Sequence, residues 1–420
     1  MNFSNELTFA KDTDEKDPLR HFRNKFFIPK DSDGNDAIYL AGNSLGLQPK
    51  SLRNYIEQEL KDWETFAVEG HTKAKNPWLP YHEFLTKQTA ELTGGKESEV
   101  VNMNSLTTNL HLLFVSFYRP EKNKHKILIE SNSFPSDHYA VQSQINFHGY
   151  DISDSLIEMK PREGEDKIRS EDIEDKIEQE GDEIALIWFA GVNYYSGQAF
   201  ELDRIVKSGH AKNCKVGFDL AHAIGNLELK LHDWNADFAV WCNYKYMNGG
   251  PGAIGGAFVN ERHLNNDELK KFLGWWGHDK QTRFLMGHKY IPIPTAESWQ
   301  LSNPPILQLA SLKASMDIFE EAGMNALRKK SEMMTGYMEY LLRKNGNSGI
   351  EIITPSEKDE RGCQLSLRVI NGGKEKFNEL TERGVICDWR EPDVIRAAPV
   401  PLYNSFEDVW KFVDIIKSVK

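Results

Sequence analysis

Short apolar runs alternate with amphipathic helical stretches through the middle of the chain. Four runs lack the polar alternation of a half-exposed strand, as expected for strands that are buried on both faces. They span residues 127–129, 185–189, 216–218 and 238–241. Buried strands separated by helices predict a mostly parallel sheet that is covered by helices on both sides.

Two helices are predicted between these strands. The first carries Ile173 and Ile177 on one face, with Ser170 as a possible N-cap. The second has its apolar residues at positions 202, 205 and 206 and ends at Gly209. A capping residue before the apolar periodicity and a glycine after it are the usual boundaries of a helix.

The last hundred or so residues have a different pattern. Apolar and polar residues alternate at 363–369, which predicts a half-exposed strand. From about Phe406 to the end, apolar residues share one helical face behind Ser405. The sequence therefore predicts an α/β chain with a large sheet domain and a smaller C-terminal α+β domain, divided near residues 303–305.

Composition narrows the class of protein. The 420 residues are 40% hydrophobic and carry a net charge of −12, which suits a folded chain but not a nucleic-acid partner. The first twenty residues contain no apolar run typical of a signal peptide, and no stretch resembles a membrane span, so we expect a cytoplasmic location. The four cysteines are far apart without C-x-x-C spacing, so we expect reduced core thiols and no metal site.

Polar residues that directly follow buried strands are the first candidates for a site, because open α/β sheets bind ligands there. Asp219 and His222 follow one predicted strand, and Tyr244 and Lys245 follow the next. A lysine amine is nucleophilic only when it is deprotonated, and the aromatic residues at 241, 244 and 246 could favour that state by desolvation. The glycine-rich residues 249–252 would allow backbone to approach a ligand closely.

These residue types match the needs of pyridoxal phosphate. Lys245 could bond its aldehyde, Asp219 could keep its ring nitrogen protonated, and His222 could pack beside the ring. Residues 104–109 begin a predicted helix whose free backbone donors suit a phosphate, together with the hydroxyls of Thr107 and Tyr244. Each feature alone is more often a helix cap or a surface lysine, but their order and spacing together favour a cofactor site.

The motifs resemble the kynureninases, which are fold-type I pyridoxal-phosphate enzymes of the class V aminotransferase-like superfamily. Similar segments lie at 39–47, 134–137, 217–222, 243–246, 274–278, 302–305 and 396–404. The resemblance implies an N-terminal segment at 1–45 that packs with the small domain, a large cofactor-binding domain at 46–303 and a small α+β domain at 304–420. Ala190 departs from the pattern, because relatives can carry a serine there.

The resemblance also implies roles for the matching residues. Lys245 would be the Schiff-base lysine, and Tyr244 would be catalytic beside it. The implied cofactor-binding residues are Leu106, Thr107, Phe134, Pro135, Ser136, Asp137, Asp219, His222, Tyr244, Lys245, Trp275 and Asn303. The implied substrate-binding residues are Arg396, His71, Asn303, His278, Asn43 and Ser44.

Four of these residues carry further expectations. Arg396 has the planar fork that suits bidentate binding of a substrate α-carboxylate. Trp275 and Asn303 would come from the neighbouring subunit of a homodimer. A histidine and an asparagine at the positions of His71 and Asn303 accompany a preference for 3-hydroxykynurenine over kynurenine, because both could bind the ring hydroxyl.

The implied reaction is hydrolysis of the Cβ–Cγ bond of kynurenine or 3-hydroxykynurenine, which yields alanine and anthranilate or its 3-hydroxy form. A cysteine desulfurase or a class V aminotransferase is the nearest alternative, although a desulfurase needs a cysteine on a mobile loop and the sequence shows no obvious one. A non-catalytic regulator with the same fold is an alternative of another class. Lys245, Asp219 and Arg396 argue against it, because a silent descendant need not keep all three.

Overall fold

The computed structural model describes residues 3–266, 268–344 and 349–419. Its strands are β1 (Ile38–Tyr39), β2 (Val100–Asn102), β3 (Lys126–Glu130), β4 (Leu156–Met159), β5 (Ile184–Ala190), β6 (Lys215–Asp219), β7 (Phe238–Cys242), β8 (Gly255–Val259), β9 (Ile350–Ile352), β10 (Leu365–Val369), β11 (Val385–Ile386), β12 (Asp388–Arg390) and β13 (Val394–Ala397). Its α-helices are α1 (Leu7–Lys16), α2 (Leu52–Phe66), α3 (Gly70–Lys73), α4 (Thr86–Thr93), α5 (Leu106–Phe117), α6 (Pro135–Phe147), α7 (Ile152–Ser155), α8 (Ser170–Glu180), α9 (Leu202–Ala211), α10 (Ile306–Ala322), α11 (Met324–Lys344), α12 (Gly373–Glu382) and α13 (Phe406–Ser418).

The large sheet has the strand order β2-β8-β7-β6-β5-β3-β4. Strands β7, β6, β5, β3 and β4 are parallel to one another, whereas β8 runs antiparallel to both β7 and β2. The four strands predicted from the sequence are its centre, which confirms the predicted α/β fold. Every residue of β7 and β8 is buried, so these strands show no polar alternation.

The smaller sheet is antiparallel and has the order β12-β13-β10-β9. Helices α11 and α13 pack together, and α1 from the start of the chain packs on α13. Strand β1 pairs in parallel with β11, so the N-terminal segment is in contact with the C-terminal part of the chain. The numerical domain boundaries remain a prediction.

The helix termini agree only partly with the predicted caps. Ser405 accepts a hydrogen bond from the backbone N–H of Asp408 and forms a capping box with it at the start of α13, as predicted. The predicted Ser170 cap is wrong, because Arg169 occupies the N-cap position and the Ser170 hydroxyl instead donates to Glu201. Helix α9 continues two residues past Gly209.

Two predictions on composition can be compared with the structure. All four cysteines are buried and free, as expected. Among the helices that the structure describes, none is both long and apolar enough to cross a membrane.

Candidate active site

The carboxyl ends of neighbouring strands enclose a cavity of about 160 Å³ at one edge of the large sheet. Glu130 ends β3, Ala190 ends β5, Asp219 ends β6, and Lys245 lies just beyond the end of β7. The lining residues are Leu106, Thr107, Glu130, Phe134, Ser136, Asp137, Ala190, Val192, Tyr194, Asp219, Ala221, His222, Tyr244 and Lys245. Lys245 and Asp219 therefore meet at one small cavity.

The Lys245 amine lies between a histidine and two aromatic rings. Its Nζ is 2.9 Å from Nε2 of His222 and 5.8 Å from the ring centroids of both Phe134 and Tyr244. Burial holds the pKa of His222 well below its usual value, and the charge of Lys245 lowers it further. A neutral His222 accepts the hydrogen bond at Nε2, which leaves its proton on Nδ1, a buried atom with no partner among the described residues.

Three acids, Asp219, Asp137 and Glu130, line the same cavity as the lysine. Asp219 accepts a hydrogen bond of 2.7 Å from the backbone N–H of Ala221. Burial raises the pKa of Asp219, but the positive charge of Lys245 opposes this effect. Burial raises the pKa of Asp137 well above its usual value, and the adjacent charge of Asp219 adds to this. Asp219 is thus the acid that its surroundings best keep charged.

The N-terminus of α5 forms a third side of the cavity. Ser105 occupies the N-cap position but makes no side-chain cap, so the first N–H groups of this twelve-residue helix remain available to a ligand. Close approach is possible because β8 carries glycine here: a Cβ on Gly255 would lie 3.0 Å from the backbone nitrogen of Leu106. The helix terminus, with Leu106 and Thr107 at the cavity, suits an anion such as a phosphate.

Arg396 lies behind the cavity on β13. Its Nη1 donates to the backbone oxygen of Tyr194 at 2.9 Å, and its Nη2 donates to Ser44 at 3.0 Å and to Asp388 at 2.5 Å. Tyr194 itself lines the cavity and meets the ring of Phe134 edge-on at 5.2 Å. The predicted substrate-binding residues Arg396 and Ser44 are thus in mutual contact.

Several predicted site residues do not line this cavity. Trp275 is 46% exposed, and His71 and Asn303 are also exposed. His278 is buried elsewhere, where its Nδ1 accepts from the Ile291 N–H at 3.0 Å and its Nε2 lies 3.1 Å from the Thr282 hydroxyl. Their roles at the site therefore remain predictions.

Asn43 and Pro135 also lie outside the cavity lining. Asn43, which precedes Ser44 in the chain, is buried, and its side-chain amide donates a hydrogen bond of 3.0 Å to the side-chain oxygen of Gln364. Pro135 is the first residue of α6, where its fixed φ angle supports the turn that presents Phe134 and Ser136.

The sequence analysis missed Glu130, Val192 and Tyr194, which all line the cavity. Glu130 directly follows the apolar run 127–129, so the rule that selected Asp219 would also have selected it. Val192 and Tyr194 lie in the loop after β5, where the sequence carries no comparable signal.

One group of side chains outside the cavity has the composition of a metal site. Among the described residues, His82, Glu83 and Glu297 bring their ligand atoms within 4.8 Å of one another. The ammonium of Lys280 already lies 3.0 Å from both carboxylates. Each carboxylate therefore already has a cationic partner.

The cavity residues fit pyridoxal phosphate. The cofactor needs an amine, an anion facing its ring nitrogen and a phosphate cradle, and Lys245, Asp219 and the start of α5 supply these three parts. The unpartnered Nδ1 of His222 leaves a donor that a ligand in the cavity could satisfy.

Proteins of similar sequence show the family of the chain. Residues 327–416 match the family model described as the kynureninase C-terminal domain. The chain is 57% identical to the kynureninase of Koribacter versatilis (strain Ellin345), over 98% of this chain and 97% of that protein. It is 51% identical to the kynureninase of Mus musculus and 49% identical to that of Homo sapiens, each over 97% of this chain and 91% of the relative.

Solved structures with a similar fold are more distant in sequence. A cysteine desulfurase from Thermococcus onnurineus NA1 has a TM-score of 0.76 at 17% identity, over 93% of this chain and 98% of that one. A mutant of C-DES with glycine covalently linked to its PLP cofactor has a TM-score of 0.78 at 15% identity, over 95% and 99%. At such identities these likenesses show the fold alone.

Proposed function

Because the chain belongs to the kynureninase family, it is an enzyme that hydrolyses kynurenine with pyridoxal phosphate, and we propose that it does so in the cavity between Lys245 and Asp219. The observation that carries this assignment is the meeting of the Lys245 amine with a wall of buried acids in one space of about 160 Å³. The desulfurase alternative is not favoured, since all four cysteines are buried.

When bound, pyridoxal phosphate supplies an electron-withdrawing ring that stabilises negative charge on the substrate carbon atoms attached to it. Asp219 would face the ring nitrogen and keep it protonated. The N–H groups at the start of α5, with the hydroxyls of Thr107 and Tyr244, would hold the phosphate. Phe134 would pack against the ring, and Asp137 would support Asp219 from the same cavity wall.

Lys245 and His222 take part in the removal of the proton from the substrate α-carbon. A neutral His222 accepts a hydrogen bond from Nζ and holds the amine beside the reacting atoms. Once the substrate occupies the cavity, Nζ of Lys245 is the base that takes the α-proton. Tyr244, whose ring lies 5.8 Å from Nζ, assists the attack of water on the γ-carbonyl.

The bond changes of the hydrolysis balance with one water molecule. Its hydroxyl bonds to Cγ, the Cβ–Cγ bond breaks, and Cβ takes a proton. The products are alanine and anthranilate, or 3-hydroxyanthranilate from the hydroxylated substrate. Arg396 binds the α-carboxylate and thereby fixes which substrate bonds face Lys245.

The active site is completed by a second copy of the chain in this proposal. Trp275 lies in a segment with many exposed apolar side chains, a composition typical of a surface that another subunit covers. The exposed apolar residues here are Phe272, Leu273, Trp275, Phe284, Leu285, Met286 and Ile291. The partner's Trp275 and Asn303 would then reach the cavity, and Asn303 together with His71 would favour 3-hydroxykynurenine. We also place the enzyme in the cytoplasm, where free cysteines persist.

An absorbance spectrum and a product assay test the proposed site. We expect the purified protein to bind pyridoxal phosphate with a yellow band that borohydride removes, and Lys245→Ala to lack that band. The native protein should convert kynurenine to alanine and a fluorescent aminobenzoate, and Lys245→Ala should not. A Lys245→Ala variant with an unchanged band and full turnover would contradict the proposal.

The same assay, run with both substrates, tests the proposed preference. We expect kcat/KM for 3-hydroxykynurenine to exceed that for kynurenine by about tenfold, the value of one good hydrogen bond to the ring hydroxyl. His71→Ala should reduce this ratio without abolishing turnover. A clear preference for kynurenine in the native protein would refute the assignment.

A further inference from the structure

Glu130 is a buried acid without a cationic partner. It is 1% exposed, ends β3 and lines the cofactor cavity. Both carboxyl oxygens lie 3.3 Å from the backbone nitrogen of Ala190. Within the part of the chain that the structure describes, no Lys, Arg or His nitrogen lies within 4.0 Å of this carboxyl group. The Ala190 N–H, which both oxygens share, and the N–H of Glu130 itself are weak compensation for a buried negative charge.

The acids near Glu130 make a charge there still less favourable, whereas the ammonium of Lys245, which lines the same cavity, lies more than 4.0 Å from its carboxyl group. Asp137 on α6 and Asp219 on β6 line the same cavity. On the neighbouring strand β4, the residue opposite Glu130 is the uncharged Met159. Burial raises the pKa of Glu130 to about 8, and the charge of Asp219 contributes to the increase.

Asp237 provides an internal comparison. It is also 1% exposed, but His210, His263 and Arg262 contact its carboxylate at 2.9, 2.7 and 2.7 Å. Its pKa lies well below the usual value because these hydrogen bonds and charges outweigh burial. Equal burial thus produces opposite states, and the presence of cations decides between them.

We propose that Glu130 carries a proton at neutral pH and is a positioning residue of the cofactor cradle. As a neutral acid it joins the ends of β3 and β5 through the Ala190 N–H. It thereby leaves one negative charge, held by Asp219 beside Asp137, to face the ring nitrogen. This inference rests on the placement of the cofactor proposed above, although the protonation of Glu130 can be measured without cofactor.

Protonation of Glu130 has a consequence for stability that follows from linkage. The pKa of a glutamate in the unfolded chain is about 4.3, whereas the pKa of Glu130 in the folded protein is about 8. Between these values the folded protein binds more protons than the unfolded chain. The contribution of Glu130 to stability is therefore fully present below the lower value and is lost as pH rises through the upper one.

Thermal unfolding of the cofactor-free protein tests this consequence. Glu130→Gln keeps the shape of the side chain but cannot ionise. The melting temperature of the variant minus that of the native protein should therefore be larger at pH 8.5 than at pH 5 by at least about 3 °C. Glu57→Gln is the matched control, because Glu57 is an exposed glutamate of α2 that forms no ion pair among the described residues. Its difference from native protein should stay nearly constant. A constant difference for Glu130→Gln as well would overturn the proposal.

Infrared difference spectroscopy detects the proton directly. Native protein minus Glu130→Gln should show the C=O band of a protonated carboxyl group at pH 7, and this band should disappear by about pH 9 as Glu130 ionises. A carboxylate band at pH 7 in its place would show that Glu130 is charged, and the proposal would be wrong.

Cofactor binding separates the role of Glu130 from the placement of the cofactor. At pH 7 the Kd for pyridoxal phosphate should change by less than about threefold in Glu130→Gln but by more than about tenfold in Asp219→Asn, which loses the charge that faces the ring. A tenfold weakening in Glu130→Gln would overturn the neutral-acid role. An unchanged Kd in Asp219→Asn would instead contradict the cofactor placement, while infrared spectra and unfolding would still decide the state of Glu130.

Discussion

Arg396 is held by three protein oxygens before any substrate arrives. Its side chain is 1% exposed, and Asp388, Ser44 and the Tyr194 backbone oxygen fix the direction of the guanidinium. Burial lowers the pKa of Arg396, and the Asp388 carboxylate opposes this effect. A pre-oriented fork loses little side-chain entropy when it binds a carboxylate, so it can select amino-acid substrates efficiently.

Replacement of the fork by an ammonium tests this role. Arg396→Lys keeps the charge but cannot bind two carboxylate oxygens in one plane, so we expect KM to rise by about ten- to a hundredfold with a smaller change in kcat. Arg390→Lys is the control, because Arg390 contacts the same Ser44 hydroxyl only at 3.4 Å. Steady-state kinetics would contradict the role if both variants raised KM equally.

The limits of sequence reasoning are clear at individual residues. Lys245 and Asp219 were found because each follows a buried strand, and parallel strands bring such residues to one edge. The same rule applied to Glu130 but was not used. The location of Trp275 and Asn303 follows from no local pattern, because exposed residues gain a role only from what packs against them.

At the scale of elements, β6 illustrates how closely the sheet and its helices are packed. A Cβ on Gly217 would lie 2.4 Å from the ring of Phe238 on β7. That ring stacks on Phe117 of α5 at 4.5 Å and on Trp188 of β5 at 5.5 Å, so it has little freedom to move. Gly217 therefore allows β6 and β7 to hold Asp219 and Lys245 at their present separation.

Two glycine substitutions of opposite effect follow from this packing. Gly217→Ala should lower the free energy of unfolding by about 1–3 kcal/mol through overpacking, and weaken cofactor binding because β6 carries Asp219. Gly336→Ala, in the interior of α11 with its nearest contact at 3.5 Å, should raise the free energy by up to about 1 kcal/mol. Chemical denaturation that finds Gly217→Ala neutral would disprove the packing argument.

Strand prediction succeeded where burial on both faces was complete. The runs that became β3, β5, β6 and β7 are continuous and apolar, which leaves few other structures for them. Strand β8 was missed because it begins with two glycines, which are not typical of a strand. The structure explains one of them, since a Cβ on Gly256 would lie 2.3 Å from the ring of Trp241. Strands β2 and β4 have three and four residues, too few for a clear period.

At the scale of the whole molecule, the predicted site is divided between residues that one chain brings together and residues that it leaves exposed. Lys245, Asp219 and Arg396 belong to the first group. Trp275, His71 and Asn303 belong to the second group. A two-fold dimer would unite them, because each subunit then supplies the exposed set to the other.

Mixed dimers test this division. Lys245→Ala and the double variant Trp275→Ala/Asn303→Ala should each have little activity, but refolding them together should restore about a quarter of native activity, since half of the random dimers contain one complete site. Lys245→Ala mixed with Asp219→Asn is the control and should restore none, because both defects lie in the same chain's site. Equal results from the two mixtures would contradict a shared site.

The contact between Ser44 and Arg396 also dictates when the enzyme can mature during synthesis. These residues are 352 positions apart, and β1 near Ser44 pairs with β11 near the far end of the chain. A ribosome that adds roughly 5–20 residues per second needs roughly 20 to 70 s to cover that span. The contact that positions Arg396 must therefore form late. A nascent chain that stalls before β13 would contain Lys245 and Asp219 but not the arginine that binds the substrate carboxylate.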